Sequence, residues 1–300
     1  MKAAKPVLKW AGGKRQLLPQ LRQYYPSRFE SYLEPFLGSG AVFFDLEARG
    51  ALRGHAALLA DSSLDLIGTY LAVRDHVDDV IRALDALQAG HEDGAGRHYY
   101  EVRDARFNPQ RRAVHAAGTA YPAALAAMFI YLNRTGYNGL FRVNARGDFN
   151  VPAGRYVRPR VCDPDNLRAA SAALQPPGVE LIRGSFLDVL GRAGRGDFVY
   201  LDPPYAPLNR TANFTGYTAE GFGPDEQRAL REAVLDLAGR GVQVLLSNSA
   251  ADEVKRLYDD NRVARRAGLR THLVPARRAI NSRGARRGPV LEYVITNVRC

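Results

Sequence analysis

Cysteine is almost absent from this sequence, with only Cys162 and Cys300 among 300 residues. Two cysteines so far apart exclude a disulfide framework, and they have no metal-ligand spacing. The six histidines form no spaced set either, and no Ser-His-Asp arrangement emerges. We therefore predict no metal site, exclude a disulfide-stabilised scaffold, and expect the protein in a reducing cytoplasm.

Long apolar runs are also missing. The longest, from Ala123 to Leu132, is too short to cross a bilayer, which needs about 20 apolar residues. The lysines near the N-terminus are not followed by an apolar segment, so we expect no signal peptide. The sequence contains no internal repeat and no low-complexity tract. We expect no membrane partner, and a monomer built from one large domain or two moderate ones.

Acidic residues are fewer than basic ones. The chain has 42 Lys and Arg against 31 Asp and Glu, a formal net charge of +11 at pH 7 and an isoelectric point near 9.8. Such an excess is typical of proteins with a polyanionic partner. Only five of the basic residues are lysines, a bias that a GC-rich genome would also produce. Codon bias exchanges Lys for Arg, however, and creates no excess over acids, so the charge favours nucleic acid.

The segment Asp202-Pro203-Pro204-Tyr205 directly follows the apolar run 198–201, which is typical of a buried strand. Two prolines end a strand and fix the backbone, so the quartet is expected at the carboxyl end, where open α/β sheets bind ligands. A carboxylate and a backbone carbonyl that accept hydrogen bonds from a ring-bound amine raise the electron density on its nitrogen. An aromatic neighbour offers the ring a stacking surface. The quartet predicts group transfer to such an amine; a solvated turn acid is the alternative.

A predicted strand, glycine turn and helix over residues 32–47 indicate a nucleoside-bearing cofactor. Gly38 and Gly40 form half of a dinucleotide-binding fingerprint, but Phe43 occupies the third glycine position and disfavours a nicotinamide dehydrogenase. A second predicted strand ends in Asp61, about twenty residues beyond the turn, where an acid can bind ribose hydroxyls. The alternative is a structural βαβ unit with Asp61 as a helix cap, which accounts for the aspartate but not for the glycines.

The pattern changes between residues 64 and 173. Helical periods cover 71–87 and 121–133, and we expect a mobile loop in the polar, glycine-containing stretch 90–98. Residues 140–152 predict a β-hairpin with its turn at 145–148. Basic and aromatic residues interleave around it, which suits phosphates and bases, while a solvated basic face is the alternative. These residues are Arg142, Arg146, Arg155, Arg158, Arg160, Tyr137, Phe141 and Tyr156.

Alternating strands and helices resume after residue 173. The predicted elements are strands at 179–182, 198–201 and 242–246, a helix at 224–240, and an antiparallel pair at 269–274 and 291–296. A polar loop is predicted at 209–222 and a mobile basic segment at 277–287. This order of elements predicts a mainly parallel sheet.

Together the motifs resemble the adenine-specific DNA methyltransferases of the Dam type (D12 class, alpha group), which use S-adenosyl-L-methionine. The matching segments follow the family's order and are Lys9–Lys14, Glu34–Gly40, Ala60-Asp61, Tyr131–Leu140, Gly147–Pro152 and Asp202–Leu208. The resemblance implies an α/β fold with a Rossmann-like class I methyltransferase sheet, formed by residues 1–63 and 174–300. It also implies an inserted, mainly helical recognition domain, residues 64–173, that carries the β-hairpin. The chain departs from the family at 90–98, Leu37 and Ser39.

The resemblance also implies roles for individual residues. The expected catalytic residues are Asp202, Pro203, Pro204 and Tyr205. Contacts to S-adenosyl-L-methionine are expected from Trp10, Lys14, Glu34, Phe36, Gly38, Gly40, Asp61, Ser185, Phe186 and Asp202. Contacts to double-stranded DNA are expected from Lys9, Tyr137, Asn138, Leu140, Arg142 and Pro152. These matches imply methylation of a flipped-out adenine in GATC, by a cytoplasmic enzyme associated with the nucleoid through DNA.

Two alternatives stay open from the sequence. Related Pro-Pro-aromatic quartets also serve enzymes that methylate cytosine N4 or a glutamine side-chain amide, although the hairpin favours DNA as the substrate. The second alternative is a basic DNA-binding protein that keeps the fold without catalysis. The intact quartet and glycine turn argue against it.

Overall fold

The structure is a computed structural model that describes residues 3–10, 12–156, 158–205, 222–277 and 289–298. Residues 206–221 and 278–288 lie outside the described residues, and they include most of the predicted polar loop and basic segment. In the described part of the chain, no helix is both long and apolar enough to cross a membrane.

Seven strands form one sheet in the order β3-β2-β1-β4-β5-β7-β6. Their bounds are β1 Ser31–Glu34, β2 Ala56–Asp61, β3 Val179–Arg183, β4 Phe198–Leu201, β5 Gln243–Ser249, β6 Arg270–Arg277 and β7 Pro289–Thr296. The β2–β1, β1–β4 and β4–β5 pairs are parallel, whereas β7 is antiparallel to both β5 and β6. This mixed sheet confirms the predicted α/β class with a Rossmann-like methyltransferase sheet.

Eleven α-helices occur in the described residues. They are α1 Leu18–Leu21, α2 Ala41–Ala48, α3 Leu64–Asp75, α4 Val77–Tyr100, α5 Asn108–Ala117, α6 Ala123–Thr135, α7 Pro164–Leu174, α8 Phe186–Gly191, α9 Pro224–Gly239, α10 Asp252–Val254 and α11 Arg262–Arg266. A turn of 3-10 helix covers Lys14–Gln16, and wider π turns follow α4 and α10.

Strand β4 is buried along its whole length, because β1 pairs with one edge and β5 with the other. A strand that packs on both faces needs a continuous apolar sequence, which Phe-Val-Tyr-Leu supplies. Residue Asp202 comes directly after the last buried position, Leu201, which pairs with Leu246 of β5. The predicted strand and its position before the quartet are therefore confirmed.

The predicted antiparallel pair near the C-terminus is also confirmed, with longer strands than the sequence indicated. Strand β7 lies between β5 and β6, and its register pairs Glu292 with Ser249 of β5 and with Val274 of β6. Because β7 runs against β5, residues near its beginning lie beside the carboxyl end of β5. Glu292 thereby reaches the edge of the sheet at which the quartet is located.

The chain divides into two compact units. One contains residues 1–13, 38–51 and 63–183, and the other contains residues 14–37, 52–62 and 184–300. The first unit has an aromatic core in which Phe107 stacks with Phe129 and meets Phe149 edge-on. In the second unit, Phe198 of β4 packs against the rings of Tyr32 and Phe29.

The loop predicted at residues 90–98 is wrong, since these residues continue helix α4. Contacts within α4 and between α4 and α6 explain the difference. A Cβ atom at Gly90 would lie 2.6 Å from Cε1 of His98, so the absent side chain makes room for that imidazole. His91 Nδ1 lies 2.9 Å from the hydroxyl of Tyr131 on α6. Such contacts outweigh the intrinsic penalty of about 1 kcal/mol for a glycine in a helix.

The single helical period predicted over 71–87 is interrupted at His76, between α3 and α4. Helix α3 begins earlier than predicted, and the residue that caps it is Ser63. Its hydroxyl accepts a hydrogen bond of 3.3 Å from the N–H of Leu66. The alternative role of Asp61 as the helix cap is therefore not what the structure shows, since Asp61 is the last residue of β2.

The predicted β-hairpin is reduced to one isolated bridge between Val143 and Phe149. The turn forms, because the N–H of Asn144 donates to Asp148 O over 2.8 Å. A second hydrogen bond across the hairpin runs from the N–H of Asn150 to Arg142 O over 3.1 Å. The backbone N–H and carbonyl of Phe149 point away from the opposite arm and bind the buried side-chain amide of Asn108, at 2.9 and 3.0 Å. A side chain at the start of α5 thus binds the outer edge of this segment.

Candidate active site

The quartet's carboxylate is paired with a lysine. Lys14 Nζ lies 2.7 Å from Asp202 Oδ1, and the side chains are 5% and 18% exposed, respectively. Lys14 is the first residue of the 3-10 turn, directly after Gly12 and Gly13, and Asp202 follows β4. The structure thus brings together two residues that are far apart in the sequence. An ion pair this poorly hydrated is much stronger than one in open water.

Burial sets the protonation of this carboxylate. It raises the pKa of Asp202 to about 6, while Lys14 lowers it and Glu292 raises it further. Removing water disfavours the charged form, and the lysine offsets part of that penalty. At neutral pH most molecules therefore carry an ionised Asp202, which can accept hydrogen bonds.

Tyr205 is fixed at both its hydroxyl and its ring. The hydroxyl donates to Glu292 Oε2 over 2.6 Å, and Lys14 Nζ lies 4.6 Å from the ring centroid. Burial raises the pKa of Tyr205 well above its ordinary value, and Asp202 and Glu292 raise it further. The phenol therefore stays protonated and acts as a hydrogen-bond donor.

The two prolines lie between these anchors. Pro203 is buried, and the carbonyl of Pro204 accepts a hydrogen bond of 3.1 Å from Nε2 of Gln227 on α9. Gln227 is itself held by Asn248 of β5, whose Nδ2 donates to Gln227 Oε1 over 3.1 Å. Gln227 and Asn248 are both buried, so their amides must find partners inside the protein.

Three residues at this site were missed by sequence reasoning: Glu292, Gln227 and Asn248. None belongs to a recognisable motif, and each lies far from the quartet in sequence. The only sequence signal is a polar residue within an apolar run, such as Asn248 in the Val-Leu-Leu-Ser-Asn-Ser stretch of β5. That signal indicates a buried hydrogen bond without naming its partner.

The carboxyl ends of β1 and β2 carry two further predicted site residues. Glu34 ends β1, is buried, and accepts a 2.7 Å hydrogen bond from the hydroxyl of Tyr32. Asp61 ends β2 and is half-buried. Glu34 pairs with Leu59 in the parallel register, so both carboxylates lie at the same edge of the sheet.

Next to this edge is an aromatic cluster. Phe36 stacks on Phe186 with ring centroids 5.2 Å apart, and Phe222 meets Phe36 edge-on at 5.7 Å. Ser185 caps α8 by accepting a 3.2 Å hydrogen bond from the N–H of Leu187. Phe36 and Phe186 were predicted from the resemblance, whereas Phe222 was not. Flat rings of this kind suit a purine.

Trp10 and the glycine turn belong to the first unit. Gly38 and Gly40 have φ values of +48° and +64°, which side chains with a Cβ atom rarely adopt. A Cβ at Gly38 would also lie only 3.0 Å from Cδ1 of Trp10. The indole stacks on Phe141 with centroids 5.7 Å apart. The turn therefore needs glycine both for its backbone shape and for the close approach of Trp10.

The predicted DNA-binding residues all lie in the first unit. The side-chain amide of Asn133 forms two hydrogen bonds with the backbone of Lys9: it accepts from the N–H at 2.7 Å and donates to the carbonyl at 2.6 Å. The Lys9 ammonium lies 4.6 Å from the ring centroid of Tyr156, and partial burial, then Arg134, lower the pKa of Lys9. Lys9 is therefore held at a defined position beside an aromatic ring.

The segment from Tyr137 to Pro152 holds the other five. Tyr137 is 46% exposed, its N–H donates to Pro152 O at 2.9 Å, and Leu140 is half-buried. Asn138 has a φ of +55°, an unusual conformation for a residue other than glycine. Arg142 is exposed, and its Nε donates to Asn150 Oδ1 at 2.8 Å. An exposed ring and an oriented guanidinium are suitable for contacts with bases.

Comparisons with known proteins show the family to which the chain belongs. Residues 10–272 match the model of the family described as D12 class N6 adenine-specific DNA methyltransferase. The chain is 36% identical over 294 residues to a DNA adenine methylase of Escherichia coli, covering 98% of this chain and 95% of that protein. It is 37% identical over 304 residues to the type II methyltransferase M.MjaIII of Methanocaldococcus jannaschii, with 98% and 99% covered. For the type II methyltransferase M1.LlaDCHI of Lactococcus lactis the identity is 34% over 298 residues, with 98% and 95% covered.

Proposed function

Because the chain belongs to the D12 class N6 adenine-specific DNA methyltransferases, we propose that it methylates the N6 amine of an adenine flipped out of duplex DNA. We further propose GATC as the target and S-adenosyl-L-methionine as the methyl donor. The observation that carries the proposal is the quartet itself: an ionised, poorly hydrated Asp202 held by Lys14 beside the Tyr205 ring.

The proposed role of Asp202 follows from the chemistry of the target. The lone pair of adenine N6 is shared with the purine ring, so the amine is a weak nucleophile. The Asp202 carboxylate would accept a hydrogen bond from the N6 amine and thereby increase the electron density on the nitrogen. Lys14 supports this role because it favours the ionised form of Asp202. The Tyr205 ring would stack against the purine and hold the amine in line with the incoming methyl group.

The residues at the sheet edge fit the proposed donor. Carboxylates at the ends of β1 and β2, from Glu34 and Asp61, match the hydroxyl and amine groups of S-adenosylmethionine. Phe36 and Phe186 would pack against its adenine, next to Ser185. For Trp10, Gly38 and Gly40, the basis for proposing contacts to the donor is their match to the family's motifs. When bound, the donor would supply an electrophilic methyl on a sulfonium: N6 would gain the methyl as the sulfur–methyl bond breaks and a neutral thioether leaves. The surplus proton on N6 would pass to the Asp202 carboxylate, which accepts its hydrogen bond, and then to solvent.

Residues 64–173 are proposed to recognise DNA. The net charge of +11 suits a phosphate backbone. Lys9, Leu140, Arg142 and Pro152 match base-reading positions of the family, which is the basis for proposing GATC. Tyr137 and Asn138 match a loop that enters the duplex. An amine paired inside a duplex cannot be reached, so the adenine must leave the stack before Asp202 contacts it.

Transfer of a radiolabelled methyl group to DNA tests the proposal. The parent protein is expected to label a GATC duplex and to lose labelling when any of the four bases is changed. Asp202→Ala is expected to lower the single-turnover rate a hundredfold or more, because one preorganised acceptor is removed. Its DNA affinity should stay within about threefold of the parent, because Asp202 contacts the amine and not the backbone.

Asp188→Ala, which removes an exposed acid from α8, is the matched control and is expected to retain the parental rate. Parent protein that labels no DNA would refute the function. Labelling at other sequences would refute GATC alone, and a near-parental rate for Asp202→Ala would refute the catalytic role of the carboxylate.

A further inference from the structure

Tyr205 is joined by a short hydrogen bond to a carboxylate that belongs to none of the sequence motifs. Its hydroxyl donates to Glu292 Oε2 over 2.6 Å, which is the length of a charge-assisted O–H···O⁻ bond. Glu292 lies on β7, 87 residues further along the chain. A tyrosine side chain has two rotatable torsions, so a hydrogen bond that fixes the hydroxyl restricts where the ring can lie.

The partner of Tyr205 is itself fixed. Glu292 is paired with Ser249 of β5 on one side and with Val274 of β6 on the other. Its backbone therefore belongs to the sheet, with a paired strand on each side. The Tyr205 hydroxyl is thus attached to a side chain of a strand that is hydrogen-bonded along both edges.

A second carboxylate at this place has an electrostatic consequence that a purely structural contact would avoid. Glu292 is close enough to Asp202 to raise its pKa, and so acts against the ionised form that Lys14 favours. A neutral side chain would not have this effect. An anionic acceptor forms a stronger hydrogen bond with a phenol than a neutral acceptor does. This stronger bond explains a carboxylate at position 292.

We propose that Glu292 is a positioning residue for methyl transfer, because its bond to the Tyr205 hydroxyl holds the ring in the orientation that stacks on the target base. This inference rests on the proposed function and deepens it. Glu292 acts through Tyr205 and does not touch the reacting atoms. Misplacement of a substrate by about 1 Å can slow an enzyme a hundredfold, so a free ring is expected to slow the transfer step.

The test is a double-mutant cycle on the single-turnover rate of the full-length protein, at saturating S-adenosylmethionine and GATC duplex. Tyr205→Phe keeps the ring and removes the hydroxyl, whereas Glu292→Ala removes the acceptor. Each is expected to slow transfer about tenfold or more, and the double variant no further than the slower single variant. Glu292→Gln keeps an acceptor oxygen and is expected to stay within about threefold of the parent at pH 8.

Tyr293→Phe is the matched control. This neighbouring residue on β7 also donates its hydroxyl to a carboxylate, Asp259 Oδ2, at 3.3 Å, so the change removes an equivalent contact. It is expected to react at the parental rate. Equal slowing by this control would show that β7 needs its tyrosine–carboxylate bonds for stability alone, and would overturn the positioning role.

The pH profile adds a readout that a structural role would not move. The groups facing Asp202 are Lys14 from the 3-10 turn, Glu292 from β7, and the phenols of Tyr200 and Tyr205. Glu292→Gln removes the only anion of this set, so the acidic midpoint of the rate is expected at lower pH than in the parent. An unchanged midpoint would contradict the arrangement.

The remaining outcomes separate the two levels of the proposal. An active parent whose Tyr205→Phe and Glu292→Ala variants react at the parental rate would overturn the positioning role alone, and so would losses that multiply in the double variant. If Glu292→Ala does not fold, the rate of Tyr205→Phe decides the same question. A parent that transfers no methyl group to DNA would refute the proposed function and the positioning role together.

Discussion

Lowering the pH below about 6 is expected to switch off methyl transfer, because protonation of Asp202 removes the acceptor for the target amine. Burial raises the pKa of Asp202 to about 6, so about nine tenths of the carboxyl groups are ionised at pH 7 and about one in eleven at pH 5. The single-turnover rate is therefore expected to be on a plateau above pH 7. Below pH 6 it is expected to fall about tenfold per pH unit.

Replacing the lysine partner should move this profile in a known direction. Lys14 Nζ lies 2.7 Å from the carboxylate and lowers the pKa of Asp202. An opposite charge at such a distance typically lowers a carboxyl pKa by about 1–3 units. Lys14→Met is thus expected to raise the acidic midpoint by at least about one pH unit. Arg15→Met removes an exposed positive charge from the adjacent position and should leave the midpoint unchanged.

The assay measures single-turnover transfer of a labelled methyl group between pH 5 and pH 8.5, at saturating donor and duplex. Saturation keeps weaker binding of either ligand from altering the midpoint, and circular dichroism at each pH confirms that the variants remain folded. A flat profile in the parent would refute the role of ionised Asp202. A midpoint that Lys14→Met does not move, or that Arg15→Met moves equally, would refute the role of the ion pair.

Three further predictions concern cofactor, base and sequence recognition. Asp61→Ala is expected to weaken S-adenosylmethionine about ten- to a hundredfold in calorimetry, through loss of a charge-assisted bond, and unchanged affinity would contradict ribose binding. A 2-aminopurine at the target base is expected to brighten when the parent binds and to brighten less with Tyr137→Ala, whose ring is 46% exposed; no brightening with the parent would argue against flipping. Arg142→Ala is expected to relax discrimination at an outer G·C pair by about 1–3 kcal/mol, whereas a uniform loss over all single-base variants of GATC would assign the guanidinium to the DNA backbone.

The sequence predicted the parts of this protein that depend on local rules. The apolar run before Asp202 predicted a buried strand, and the prolines predicted its end, because chain stiffness and a continuous apolar run act within a few residues. The C-terminal strand pair was predicted for the same reason. The alternation of strands and helices predicted a mainly parallel sheet, but not the order of its strands.

Interactions between distant segments could not be predicted in this way. In the glycine-containing stretch of helix α4, His91 contacts the hydroxyl of Tyr131 on α6, and nothing in the local sequence indicates that contact. Asn108, 41 residues from Phe149, binds the outer edge of the hairpin through its side-chain amide. Glu292 reaches Tyr205 only because β7 inserts beside β5 in one particular register.

Asp202 meets two opposed requirements, and its neighbours show how the chain balances them. A carboxylate polarises an amine best where water is excluded, yet exclusion of water favours its neutral form. Lys14 offsets the burial, whereas Glu292 adds a negative charge that raises the pKa of Asp202. A carboxylate at position 292 therefore helps transfer only if its bond to Tyr205 contributes more than its charge removes. Gln at this position would relieve the charge while keeping an acceptor, so Glu292→Gln should outpace the parent near pH 5 and show no advantage at pH 8.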